Sequence, residues 1–159
     1  MQPYGGFWLR FVAYIIDAII LNVVLSALAS VMGMGIMMPW AIDPDLAMAY
    51  GMSSILGYIV VSQVGTWLYF ALMEASGMQG TLGKKALGMM VTDLDGQRIG
   101  FGRATGRYFA KILSGLILGI GYFMVGWTQR KQGLHDMLAG TLVYKAGAIG
   151  TTTSASVFE

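Results

Sequence analysis

Arg10 and Asp17 lie seven positions apart in an otherwise apolar run, GFWLRFVAYIIDAII. On a helix seven residues at ~100° each fall about 20° short of two turns, so the two side chains share a face roughly 10.5 Å apart along the axis. A carboxylate at mid-span costs about 2.5–3.5 kcal/mol on insertion scales, so something must compensate it. One chemistry is a proton or cation site, in which Asp17 alternates between protonated and ion-bound states and Arg10 tunes it. The other is a structural polar contact, for which Gln63, near mid-depth in the next apolar run, is the expected donor. Ser62 and Thr66 extend a polar stripe around Gln63 at helical spacing and read as packing.

Other reactive-looking patterns carry less. GTLGKK at 80–85 lacks the Walker spacing, because Met78 stands where the first Gly belongs and Lys85 follows Lys84. His135-Asp136 is a possible acid/base pair, yet no nucleophile, second His or third carboxylate has a place beside it, and a cap or turn is the plainer reading. The chain has no Cys and one His, which excludes a disulfide framework and leaves no metal cluster. No enzyme activity, cofactor or metal is expected. A net charge of +2 gives no case for nucleic acid as a partner.

These residues need a membrane around them. The 159 residues are 56% hydrophobic and only 11% charged, too few charges to coat a soluble domain of this size. Residues 18–42, 46–73 and 112–129 contain no Asp, Glu, Lys or Arg. About 20 apolar residues cross a bilayer core as a helix. The expectation is an all-α integral membrane protein with spans at about 7–31 and 52–73 and a third hydrophobic helical element at about 107–128. Its core of Ile112 to Trp127 reaches about 24 Å, so it is either a third span or a re-entrant hairpin turning at Gly119-Ile120-Gly121. Ala27-Leu28-Ala29 imitates a signal-cleavage site, but Asp17 interrupts the apolar run before it.

Lys84, Lys85, Arg98, Arg103, Arg107 and Lys111 crowd the segment after the second span, which places it, and the N-terminus, in the cytoplasm. The loop between the spans, with Asp43 and Asp45, is then outside. Thr81 to Met90 is expected to begin a short interfacial helix with Leu82, Ala86, Leu87 and Met90 on one side and the Lys pair on the other. Val91 to Ile99, around Asp95-Gly96, reads as a small cytoplasmic β-hairpin, with Leu142 to Tyr144 as a possible third strand. Gly115-xxx-Gly119 and Ser26-xxx-Ser30 match close helix contact faces. Residues 146–159 are expected to form a loose tail beyond a single domain of residues 5–145.

Together these segments resemble the RDD family of bacterial membrane proteins, named for one Arg and two Asp. The opening run is similar to its first helix, with Arg10 at the cytoplasmic end and Asp17 in the middle. GTLGKKALGMMVTDLDG resembles its Gly-Thr-x-Gly-Lys segment and Val-x-Asp-x-Asp-Gly turn, which marks Gly80, Thr81, Gly83, Lys84, Asp95 and Gly96 as motif residues. RKQGLHDMLAGTLV resembles its Gly-Leu-His-Asp…Ala-Gly-Thr close and adds His135, Asp136, Gly140 and Thr141. Asp95 and Asp136 both stand as the second Asp.

The resemblance implies a multi-pass protein of the bacterial cytoplasmic (inner) membrane, in a family suspected of transport, with cation/proton antiport proposed for some members. Two readings follow. In the first the chain moves a cation or small solute in exchange for protons at Asp17, the later motifs gating it. Two or three hydrophobic elements cannot wall a pathway, so this needs a homo-oligomer or a larger membrane complex. In the second it is an accessory or scaffold subunit of such a complex, with no transport of its own.

Overall fold

The computed structural model describes residues 4–32, 44–116 and 120–145. Its elements in order are α1 (Phe7–Val31), α2 (Pro44–Ala75), α3 (Leu82–Ala86), β1 (Met89–Asp93), α4 (Phe101–Leu116), α5 (Ile120–Phe123), a 3₁₀ turn at Met124–Gly126, α6 (Leu134–Ala139) and β2 (Thr141–Lys145). The chain divides into two compact units. Residues 18–68 make one; the described residues up to Asp17 and from Tyr69 onward make the other.

α1 occupies the first predicted span, and α2 contains the second. Among the described residues two helical stretches, Phe7–Val31 and Gly51–Ala75, are long and apolar enough to cross a membrane. Most of their apolar side chains are left uncovered, among them Ile19, Val23, Leu56 and Val60. A soluble core helix would bury these, so an apolar medium has to cover them. α2 starts earlier than the apolar pattern suggested, because Pro44 at a helix's first position has its φ pre-set and gives up no hydrogen bond. Residues 44–51 of the expected loop are therefore helix; Asp43 and the rest of that loop lie outside the described residues.

Within the 18–68 unit the close contact falls at Leu25, whose Cδ2 would meet a Cβ on Gly65 at 2.8 Å. Leu25 and Ala29 are buried, whereas Ser26 and Ser30 are exposed and bonded along their own helix. The expected Ser-xxx-Ser contact face is thus displaced by one residue onto the apolar pair Leu25 and Ala29.

In the other unit, β1 pairs antiparallel with β2, Val91 opposite Val143. Met89, Val91, Leu142 and Val143 are its buried core. The predicted local hairpin does not form: only β1 of it is strand, and residues 97–100 are irregular. The Asp93 carboxylate accepts the Asp95 and Gln97 N–H groups at 3.0 and 2.8 Å, and Gly96 has φ +77. This side-chain-closed turn uses the donors a hairpin ladder would need. The distant segment at Leu142 to Tyr144 is the true partner strand.

The third hydrophobic element starts at Phe101, six residues before its apolar stretch, and doubles back. A Cβ on Gly121 would sit 2.9 Å from Ser114 Cα, and Tyr122 Oη donates to the Lys111 carbonyl at 2.7 Å. α4 is amphipathic in reverse: Ala104, Arg107 and Ser114 face inward and are buried, while Phe109, Ile112, Leu113 and Leu116 are exposed. Gly119 lies outside the described residues.

α3 also inverts its expectation. It ends at Ala86 with Leu87 as its cap, and Gly88 at φ +62 turns the chain into β1, so Met90 belongs to the strand. Leu82 is exposed and Lys84 buried, because the lysine has found partners inside.

Candidate functional site

Asp17 is buried and held entirely by neutral donors. Its Oδ1 accepts Tyr69 Oη–H at 2.7 Å and the Gly83 N–H at 2.8 Å; Oδ2 accepts Thr81 Oγ1–H at 2.5 Å. Tyr69 Oη in turn accepts the Leu82 N–H at 3.0 Å. Thr81 caps α3, and its Oγ1 accepts the Lys84 N–H at 3.4 Å. Gly83 is required by close approach: a Cβ there would run into the Ala13 carbonyl oxygen of α1 and reach Asp17 Cγ at 3.0 Å. The first turn of a helix leaves N–H groups unpaired, and a carboxylate is their natural acceptor.

Arg10 does not share this cradle. Its Nη1 donates to Asp136 Oδ2, its Nη2 to the Lys131 carbonyl at 2.6 Å and its Nε to the Gly5 carbonyl at 2.8 Å. Asp136 Oδ1 takes Arg107 Nη2 at 2.6 Å, and Oδ2 takes the Gly133 N–H at 3.1 Å, closing the first turn of α6. Arg107 Nη1 continues to Glu74 Oε2 at 3.2 Å. Glu74 Oε1 binds Lys84 Nζ, and Lys111 Nζ stands 3.6 Å away, over the Phe70 ring at 4.1 Å.

The result is one buried chain of charge, Arg10, Asp136, Arg107, Glu74, then Lys84 and Lys111. Four cations face two carboxylates. His135, its Nε2 3.4 Å from Asp136 Oδ1, adds no charge near neutrality, because burial pushes it down to about 3 against the pull of Asp136. Burial raises the Asp136 carboxyl, but Arg10 and Arg107 outweigh that and hold it well below the usual carboxylate range. Burial pushes Lys84 down to about 7; Glu74 opposes the shift, and Arg107 and Lys111 add to it. The buried Nε of Arg107 and Nδ1 of His135 have no hydrogen-bond partner among the described residues.

The motif residues therefore separate by task. Thr81 and Gly83 hold Asp17, Lys84 joins the ion chain through Glu74, and Gly80 is packed against the Met89 carbonyl. His135 and Asp136 build the opposite end. Gly140, at φ 58, closes α6, and Thr141 Oγ1 donates to the Asp136 carbonyl at 3.4 Å. Asp136, not Asp95, is the carboxylate on Arg10; Asp95 and Gly96 belong to an outer turn. Gln63 is exposed, and Tyr69, Thr81 and Gly83 take the role expected of it.

The spacing of the sequence did not point to Tyr69, Glu74, Arg107 or Lys111. Glu74 ends the second charge-free interval, and Arg107 and Lys111 recur one turn apart on α4. Those were the available signals, and both also suit an ordinary helix end at a charged surface.

The RDD family model matches residues 4–140. The chain is 41% identical over 152 residues to "Uncharacterized protein YxaI" of Bacillus subtilis (strain 168), covering 91% of this chain and 100% of that protein. It is 31% identical over 152 residues to "Uncharacterized membrane protein YteJ" of the same organism, covering 89% of this chain and 81% of that one. No solved structure matches. A family match over most of the chain, with Arg10, Asp17 and Asp136 each anchored in the fold, establishes that the chain belongs to the RDD family.

Proposed function

We propose that this RDD-family membrane protein is transport-related, coupling protonation of its buried charge chain to movement of a cation or small solute across the bacterial cytoplasmic membrane. The observation that carries the reading is four cations set against two carboxylates at the ends of two apolar helices, with Lys84 brought to about 7. Apolar side chains of similar volume provide cohesion as well or better. Ionisable groups kept at such sites mark ion and proton routes, and a pKa near the working pH suits proton exchange.

The proton-exchanging group in this reading is Lys84, with Glu74 as its counter-ion. Both Asp17 carboxylate oxygens are already engaged by Tyr69, Thr81 and Gly83, so a cation, which needs free oxygen lone pairs, would have to displace these donors. The basic loop from Lys84 to Lys111 argues for a cytoplasmic location and a cytoplasmic N-terminus. The return of α5 along α4 supports re-entry from that same side, with Gln132 inside. Two spans do not enclose a path, so transport calls for a homo-oligomer or a larger membrane complex. The saturated cradle at Asp17 favours a second reading, an accessory subunit without transport of its own.

Proton-driven cation flux in proteoliposomes tests the choice. Transport by this chain predicts flux in the wild type, loss with Lys84→Gln or Glu74→Gln, and retention with Asp17→Asn. A wild type without flux, copurifying with a complex that Lys84→Gln leaves assembled, supports the accessory reading instead.

A further inference from the structure

The end of α2 and the start of α4 border a groove of about 560 Å³. Leu72 and Ala75 line it from α2, Phe101 from α4, and the buried Ile99 from between them. Arg98 is the charged residue of the lining. Its side chain is exposed and makes no ion pair among the described residues, whereas the neighbouring Arg103 is held by Asp93 at 3.3 Å.

The position of the groove says what fits it. The apolar stretch of α2 ends at Ala75, so Leu72 and Ala75 stand where acyl chains give way to headgroups. Arg98 follows as a free guanidinium, suited to two parallel hydrogen bonds with a phosphate. Elsewhere on the same unit Lys85, Arg103, Arg130 and Lys145 are exposed, against Asp95 as the exposed acid among the described residues. The field is one that gathers anionic lipid.

We propose that this groove binds an anionic phospholipid, its phosphate on Arg98 and an acyl chain along Leu72 and Phe101. The inference rests on α2 spanning the bilayer, not on transport. It gives Arg98 and Ile99, between β1 and α4, a task separate from the Asp17 cradle and the ion chain.

The test is native mass spectrometry of the full chain in detergent, with phosphatidylglycerol and phosphatidylcholine added equally. The expected result is preferential retention of phosphatidylglycerol, reduced about five-fold by Arg98→Gln, the weight of one basic side chain at an anionic surface. Arg98→Lys should keep most of the preference, and Arg103→Gln should leave it unchanged. Equal retention of both lipids, or a preference indifferent to Arg98→Gln, overturns the proposal. So does displacement of the lipid by millimolar inorganic phosphate, which assigns a free-anion site. A dimer that forms without lipid and is lost in Arg98→Gln overturns it in favour of a second copy. Because retention is counted directly, a wild type without flux leaves this inference standing.

Discussion

Arg10 and Asp136 form a buried ion pair across 126 positions of sequence, the first helix reaching the penultimate element of the fold. Arg107 shares the same carboxylate and extends the contact to Glu74. Removing Asp136 leaves Arg10 without its carboxylate and two guanidinium groups sharing a space in which only Arg107 keeps a counter-ion, Glu74. Removing Arg10 leaves Asp136 still held by Arg107.

Asp136→Ala should therefore destabilise the folded protein by about 3–5 kcal/mol, the cost of breaking a buried pair from one side. Arg10→Ala should cost less, and the double variant little more than Asp136→Ala alone. Equilibrium unfolding in detergent micelles measures all three; additive losses would contradict a shared site.

Gly83→Ala should be more damaging than ordinary overpacking, which costs about 1–3 kcal/mol. The new methyl meets helical backbone at Ala13, and helical backbone cannot swing aside. Gly77→Ala, where a Cβ meets nothing within 4 Å, is the matched control and should be near neutral. Thermal denaturation of the pair decides it.

Asp17→Asn should cost about 1 kcal/mol and Asp17→Leu about 1–3 kcal/mol. The amide oxygen can keep Tyr69 and Gly83, but its NH₂ then faces Thr81 Oγ1, which must accept while also serving the Lys84 N–H. Leucine strands all three donors. If leucine proves the milder change, the cradle does not hold α3 to α1.

Stability should fall on acidification from about pH 6.5, well above the range where carboxylates titrate. His135 is pushed down to about 3 from an ordinary 6.5, so below 6.5 the unfolded chain takes up a proton that the fold refuses. That loss grows as pH falls and levels off near 3. Asp136 contributes separately, only once pH drops below its ordinary 3.8. His135→Gln should remove the upper part of the decline, as read from Tm against pH.

Lys84 should act on the alkaline side. Its fold-state value of about 7 lies below the ordinary 10.5, so its penalty is full below 7 and fades as pH rises toward 10.5. Stability should rise across that window. Lys84→Met should flatten the rise while Arg107 and Lys111 keep Glu74 compensated; an unchanged slope would mean that Lys84 is not the titrating group.

How far the sequence reached differs from residue to residue. The two apolar helices were legible because crossing a bilayer imposes length and composition, and α1 runs over the stretch that the sequence marked. Arg10, Asp17 and the three motif segments were legible as residues that something must compensate. Their partners were not. Spacing along α1 put Arg10 and Asp17 on one face and suggested that they cooperate, yet Arg10 goes to Asp136 and Asp17 to the start of α3. Local turn chemistry at Asp95-Gly96 suggested a hairpin, but β1 takes a distant strand, pairing Val91 with Val143. Lys84 and Arg107 were counted as surface cations, whereas the fold buries both around Glu74. Composition and periodicity report what one segment needs from its surroundings, water or hydrocarbon, and so decide where it lies. Which distant group answers a buried charge depends on the whole chain closing at once, and that was decided only in three dimensions.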